Sequence, residues 1–189
     1  TTFLMALLDD TSEKYIEECV KNNEEPDRTK LIGMTREDIL DYFYETQTFK
    51  FDSDKWITDF VADNYKGQRL NFDLIDSIKN QVVAKAGDKI TPRNLKGLLD
   101  NGLKSIIINE DEILGKYLSE DIINEDTGEV YAEAGDEITL DFIKLFKLKN
   151  FSLLKVLSTD NASVGPWMRN TLALDKNASR EEALVDIYR

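Results

Sequence analysis

Any chemistry in this chain would have to run on carboxylates, Lys, Tyr or Ser, and the carboxylates are the ones that cluster. Asp9/Asp10, Glu17/Glu18, Glu24/Glu25 and Glu110/Asp111/Glu112 stand in pairs or triples. Two such groups facing each other across a cleft are what glycoside hydrolysis requires. Histidine is absent. That removes Ser-His and Cys-His nucleophile pairs, the common zinc sites and the HExxH metalloprotease helix together. No EF-hand run of alternating Asp and no Gly-Lys-Ser/Thr phosphate loop occurs. With 32% charged residues, neighbouring acids arise from composition alone. A carboxylate-dependent hydrolase is therefore a minor reading, and the sequence predicts no cofactor and no metal.

The elements that would position such groups follow from a repeat. Ala84-Lys85-Ala86-Gly87-Asp88-Lys89-Ile90-Thr91 returns 48 residues later as Ala132-Glu133-Ala134-Gly135-Asp136-Glu137-Ile138-Thr139. Val82 answers to Val130, Leu95 to Ile143, Leu98 to Phe146 and Gly102 to Asn150. A duplicated supersecondary unit is a statement about folding first. Each copy reads as strand, strand, helix, strand. The strands are expected near 70–75, 82–85 and 105–108, then near 118–123, 130–133 and 153–156. Gly87 and Gly135 mark sharp turns with positive φ. They could suggest a metal or phosphate site, but a repeated structural turn capped by Asp accounts for both without further ligands. Thr91 and Thr139 are N-caps, Pro92 opens the first copy's helix, and Gly102 and Asn150 close the two helices in the left-handed conformation. Two copies packed side by side give an α+β domain over 67–158.

Around this block the pattern is helical. Residues 1–45 carry apolar positions at Tyr15, Ile16, Cys19 and Val20, a polar loop over 22–30, and a capping-box start at Thr35-Arg36-Glu37-Asp38 before Ile39 and Leu40. Thr46–Phe51 and Trp56–Val61 read as a hairpin across Asp52-Ser53-Asp54, with Trp56 in the core. After a loop at 159–166, Ser179 and Glu182 form a second capping box and open a final helix. Three segments are thus expected: 1–66 helices with a short hairpin, 67–158 the two-copy domain, and 159–189 a return segment. The chain starts without Met in an apolar run and stops in a helical pattern, so an excised piece of something larger is expected.

The formal charge is −13, which repels a phosphate backbone except locally. Lys144, Lys147, Lys149 and Lys155 read as a solvated mixed-charge face, while Arg169, Lys176, Arg180 and Arg189 could touch a phosphate. Cys19 is the single cysteine. That excludes an intrachain disulfide and, with no secretory signal or apolar span, predicts a cytoplasmic home. Its expected role is a packed small hydrophobe.

The closing stretch Val164-Gly165-Pro166-Trp167-Met168-Arg169-Asn170-Thr171-Leu172-Ala173-Leu174-Asp175-Lys176-Asn177-Ala178-Ser179-Arg180 through Arg189 closely resembles the β subunit of bacterial DNA-directed RNA polymerase. Thr1–Leu7 with Thr35–Tyr44 is similar to the helical part of that subunit's lobe. The duplicated region, with Gly115–Ile122 and Gly128–Thr139, is similar to an insertion that the lobe carries in many bacteria. The resemblance implies a helical lobe portion bearing an inserted two-copy α+β domain, a piece of a nucleotidyltransferase without its catalytic residues. It further implies a place in the wall of the downstream DNA cleft, with Arg169, Lys176 and Arg180 as the DNA-proximal candidates. The implied partners are the β′ and α subunits, a σ factor, downstream DNA and transcription factors. A free-standing two-repeat protein-interaction module is the alternative, and a reading frame ending near Arg189 would favour it.

Overall fold

The structure is a computed structural model that describes every residue except 28, 29, 125, 126 and 160–163. The fold is α+β, with seven helices and eight strands among the described residues. Two compact units divide the chain. One comprises Thr1–Glu45, Ser119–Asp136 and Ala162–Arg189, the other Thr46–Leu118 and Glu137–Asn161. The expected boundaries at 66/67 and 158/159 do not follow this division, for reasons given by the pairing below.

The first unit is built on helices with local start signals. α1 (Thr2–Ala6) is a single short turn of helix. α2 (Asp10–Asn22) is capped by Asp9, whose carboxylate accepts from the Ser12 N–H at 2.7 Å, and it ends at Asn23 with φ 55°. Cys19 on its inner side is buried. α3 (Arg36–Phe43) starts with a complete capping box. The Thr35 hydroxyl accepts from the Asp38 N–H at 3.2 Å, and the Asp38 carboxylate accepts from the Thr35 N–H at 2.8 Å. Ile39 and Leu40 face the core. α6 (Trp167–Leu174) and α7 (Arg180–Tyr188) complete the set. Ser179 caps α7 by accepting from the Glu182 N–H at 3.3 Å, while Glu182 reaches back to the Ala178 N–H at 2.8 Å.

The second unit is a six-stranded antiparallel sheet with two helices. β1 (Thr46–Asp52) and β2 (Lys55–Asp59) form the expected hairpin. Ser53 and Asp54 both take positive φ, the requirement of a tight two-residue hairpin turn. β3 (Leu74–Asp76), β4 (Val82–Ala84), β5 (Ser105–Ile108) and β8 (Leu153–Leu157) complete the order β4-β3-β5-β2-β1-β8. The hairpin thus sits between the third strands of the two copies. It pairs through Thr58 and Ile106 on one side and Phe49 and Leu154 on the other. This pairing, not a helical neighbour, is what separates it from residues 1–45. α4 (Pro92–Asp100) and α5 (Leu140–Leu148) carry the buried Leu95, Ile143 and Phe146. Trp56 is 2% exposed, with its ring 4.8 Å from Phe51 and 5.4 Å from Phe146 between centroids.

Local hydrogen bonding recurs at the 48-residue interval. Asp88 accepts from the Lys85 N–H at 3.0 Å, as Asp136 does from Glu133 at 2.9 Å. Asp73 accepts from the Ala86 N–H at 2.7 Å, as Asp121 does from Ala134 at 2.6 Å. Gly87 and Gly135 both have φ 88°, while Gly102 and Asn150 close their helices at 81° and 58°. Thr91 and Thr139 cap α4 and α5 by accepting from Asn94 and Phe142, each at 3.3 Å. The paired Asp residues are therefore turn caps.

The copies are nonetheless unequal as folding units. β3 and β4 join the large sheet. Their counterparts β6 (Ile122–Ile123) and β7 (Val130–Ala132) form a separate two-stranded sheet within the first unit. The side-by-side domain over 67–158 is replaced by an arrangement in which the second copy is shared between units. The turn between β3 and β4 is closed by an aspartate. The Asp76 carboxylate accepts from the Ile78 N–H at 2.8 Å and the Lys79 N–H at 3.0 Å. The second copy's turn includes Glu125 and Asp126, which lie outside the described residues.

Candidate functional site

The three cationic candidates lie in the last segment of the first unit. Two of them are committed to the fold. α6 begins after Pro166, which offers no side-chain cap. The Tyr44 hydroxyl supplies one instead. It accepts from the Met168 N–H at 3.0 Å and the Arg169 N–H at 3.3 Å, and donates to the Gly165 carbonyl at 3.1 Å. Two orphan amides of the first helical turn are satisfied by one phenol. Arg169 then turns back, its Nε donating to the Gly135 carbonyl at 2.6 Å and its Nη1 to Asn170 at 3.2 Å. Leu40 also packs close against Gly135, so the 132–136 turn is held by two helices of its own unit. Arg36 adds an ion pair to Glu133 at 3.5 Å.

Arg180 is engaged in the same way. Its Nε donates to the Ala6 carbonyl at 3.1 Å, and its Cβ lies 2.7 Å from where a β-carbon on Gly33 would sit. Lys176, between α6 and α7, is exposed. Beside it Asp175 accepts from Thr1, from the Thr2 hydroxyl at 3.1 Å and from the Asn177 N–H at 3.0 Å. Burial pushes the Asp175 carboxyl up. The hydrogen bonds from Thr1, Asn177 and Thr2 outweigh it and hold the group below its ordinary value. Buried Asn177 links Asp186 of α7 to the same cluster at 3.3 Å. Of the proposed set, Lys176 alone is left without a structural bond among the described residues.

Two of the clustered carboxylates serve structure. Asp9 is a cap, and Glu110 pairs with Lys147, whose ammonium also stands 4.0 Å from Asp54 and 5.1 Å above the Phe51 ring. Glu17, Glu18, Glu24 and Glu25 are exposed. Asp111 and Glu112 border a cleft of about 500 Å³ in the second unit, among the carboxamides of Gln47, Asn64, Gln68 and Asn71. Both acids belong to one short turn over 110–112, whereas hydrolysis by two carboxylates needs them on opposite sides of a substrate. Among the described residues no three Cys, Asp or Glu side chains are grouped to hold a metal ion. Tyr44 escaped sequence reasoning because its partners lie 121 to 125 residues away and no local pattern marks a phenol as a cap.

No helix among the described residues is long and apolar enough to cross a membrane. The chain matches no protein-family profile. It is similar to individual proteins over most of its length. It is 48% identical over 162 residues to the DNA-directed RNA polymerase subunit beta of Rhizorhabdus wittichii, covering 86% of this chain and 11% of that protein. It is 47% identical over 158 residues to the subunits of the same name from Brucella canis and Brucella suis, covering 84% of this chain and 12% of each. The chain thus spans about a ninth of the length of the relatives it matches. Its sequence identifies it as a homologue of one segment of the β subunit of DNA-directed RNA polymerase.

Proposed function

We propose that the chain serves transcription as a non-catalytic segment of a polymerase β subunit, contributing a structural wall and an outward surface. The observation that carries this reading is the near-half identity to β subunits over some 85% of the chain. Two features support it. Asp9, Glu110, Arg169 and Arg180 are spent on a cap, an ion pair and bonds to backbone carbonyls. Large apolar side chains on the helices of the first unit, among them Phe3, Tyr42, Trp167, Leu174 and Tyr188, are exposed, as on a surface built to meet further protein.

In this role the segment would assemble with β′ and α subunits and a σ factor in the cytoplasm. It would stand near downstream DNA, with Lys176 as the cation available to a phosphate. Transcription factors would meet its outer surface. Grafting the chain in place of the corresponding segment of a Brucella β subunit tests the proposal. The graft is expected to co-purify with the remaining subunits and to sustain RNA synthesis. Failure to assemble despite a folded graft would refute it. The isolated chain should incorporate no nucleotide with template and Mg²⁺, and measurable synthesis would overturn the non-catalytic reading.

A further inference from the structure

The chain is strongly acidic, but its charge is not evenly spread. Residues 66–104 hold eight Lys or Arg against four Asp. The equivalent residues 114–152 hold four Lys against nine Asp or Glu. The reversal is position-specific, since Lys85, Lys89 and Arg93 stand where the second copy has Glu133, Glu137 and Asp141. All three cations are exposed.

Lys85, Lys89 and Arg93 each adjoin in the chain a residue that lines a groove of about 270 Å³ in the second unit, between β4 and α4. Val83 and Ala84 form its strand side, and Ile90 and Leu98 its apolar lining. On the helix, Asn94, Gly97 and Asn101 recur at three- and four-residue spacing and so share one face. Gly97 has open space where a side chain would be. The second copy carries Leu145 there, and Phe142 in place of Asn94. Lys79 reaches the groove's end, its ammonium 2.9 Å from the Asn101 carbonyl. One carboxylate, Asp88, also lines the groove, and it is already bound to the Lys85 N–H. β4 is the last strand of the sheet, so its outer edge carries no strand among the described residues, and Val82 beside it is 50% exposed.

An open strand edge beside a helix, with an apolar lining and a cationic border, is the geometry of peptide recognition by strand addition. We propose that the β4–α4 groove takes an extended acidic segment of a partner protein as a further strand. Main-chain hydrogen bonds to β4 would supply register. Alternate apolar side chains would enter over Gly97, and Lys79, Lys85, Lys89 and Arg93 would meet the acidic ones. This inference does not depend on the polymerase reading.

The test uses the full chain and a fluorescein-labelled peptide of alternating Val and Glu, followed by anisotropy. Binding that weakens with salt is expected, with new amide protection from hydrogen exchange at 82–84. Gly97→Leu and Asn94→Phe, which fill the groove with the second copy's residues, should each weaken binding at least about tenfold. Circular dichroism should confirm that both variants fold. Reversing Lys85, Lys89 and Arg93 to Glu should abolish binding. The proposal is overturned if the acidic peptide fails to bind, if a Val–Lys peptide binds equally well, or if folded groove-filled variants bind as the parent does. It is also overturned if duplex DNA binds more tightly than the peptide in a manner indifferent to Gly97, which would make the surface a phosphate contact.

Discussion

Gly33 has the least room of any glycine described. A β-carbon there would run into the Met5 carbonyl and stand 2.7 Å from the Arg180 Cβ. Neither can retreat easily, because Arg180 is bonded to Ala6 and the strand-like bridge between Leu8 and Gly33 ties the same backbone. Gly33→Ala should destabilise the first unit by about 1–3 kcal/mol, read as a lowered urea midpoint. Tyr44 gives a cleaner single-atom test. Tyr44→Phe keeps the ring and removes the oxygen that serves Met168, Arg169 and Gly165. A loss of about 1–2 kcal/mol is expected, with faster hydrogen exchange at Met168 and Arg169. An unchanged exchange rate would show that water caps α6 equally well.

Among the elements, the caps were legible and the pairings were not. Thr35 with Asp38, Thr91, Thr139 and Ser179 declare helix starts within four residues, so their signals survive any tertiary arrangement. Thr91→Ala and Thr139→Ala should each cost about 1 kcal/mol, measured by urea denaturation. Strand length was over-read. β3 and β6 shrink to three and two residues, with a bulge in the register of each hairpin. The equivalence of the copies failed for a non-local reason. Arg169 and Leu40 hold the Gly135 turn, and neither lies inside the repeat. The Asp76 turn provides a pH test. The Lys79 N–H is the chief influence lowering its carboxyl below the ordinary 3.8, against burial and with help from Ile78 and the Lys79 ammonium. A carboxyl whose folded value is depressed adds stability that is present above the unfolded value and lost as pH falls through the folded one. Urea midpoints should therefore fall on the acid side of about pH 4, and Asp76→Asn should flatten that limb. An unaltered limb would assign the acid response to other groups.

For the molecule as a whole, the α+β class and the similarity to polymerase β subunits were legible in the sequence, and the distribution of the chain between its units was not. The chain passes between its units at 45/46, 118/119, 136/137 and 161/162, so no single excision separates them. Removing 67–158 would leave β1 and β2 without β5 and β8 and would take β6 and β7 from the helical unit. Such a deletion should lose the cooperative unfolding of the intact chain in circular dichroism, and a sharp transition would argue that 1–66 folds with 159–189 alone. Arg169 and Arg180 stood out in the sequence as DNA-proximal cations, whereas the carbonyls that engage them lie 34 and 174 residues away, beyond any local pattern. The location of the lone thiol has a practical use. Cys19 is enclosed in the helical unit, while Trp56 is enclosed in the sheet unit. With the exposed Trp167 of the helical unit replaced by Phe, disulfide-exchange reagents should therefore time the opening of the one, and the quenching of buried indole emission the opening of the other. The chain then carries two separate clocks, with no label added.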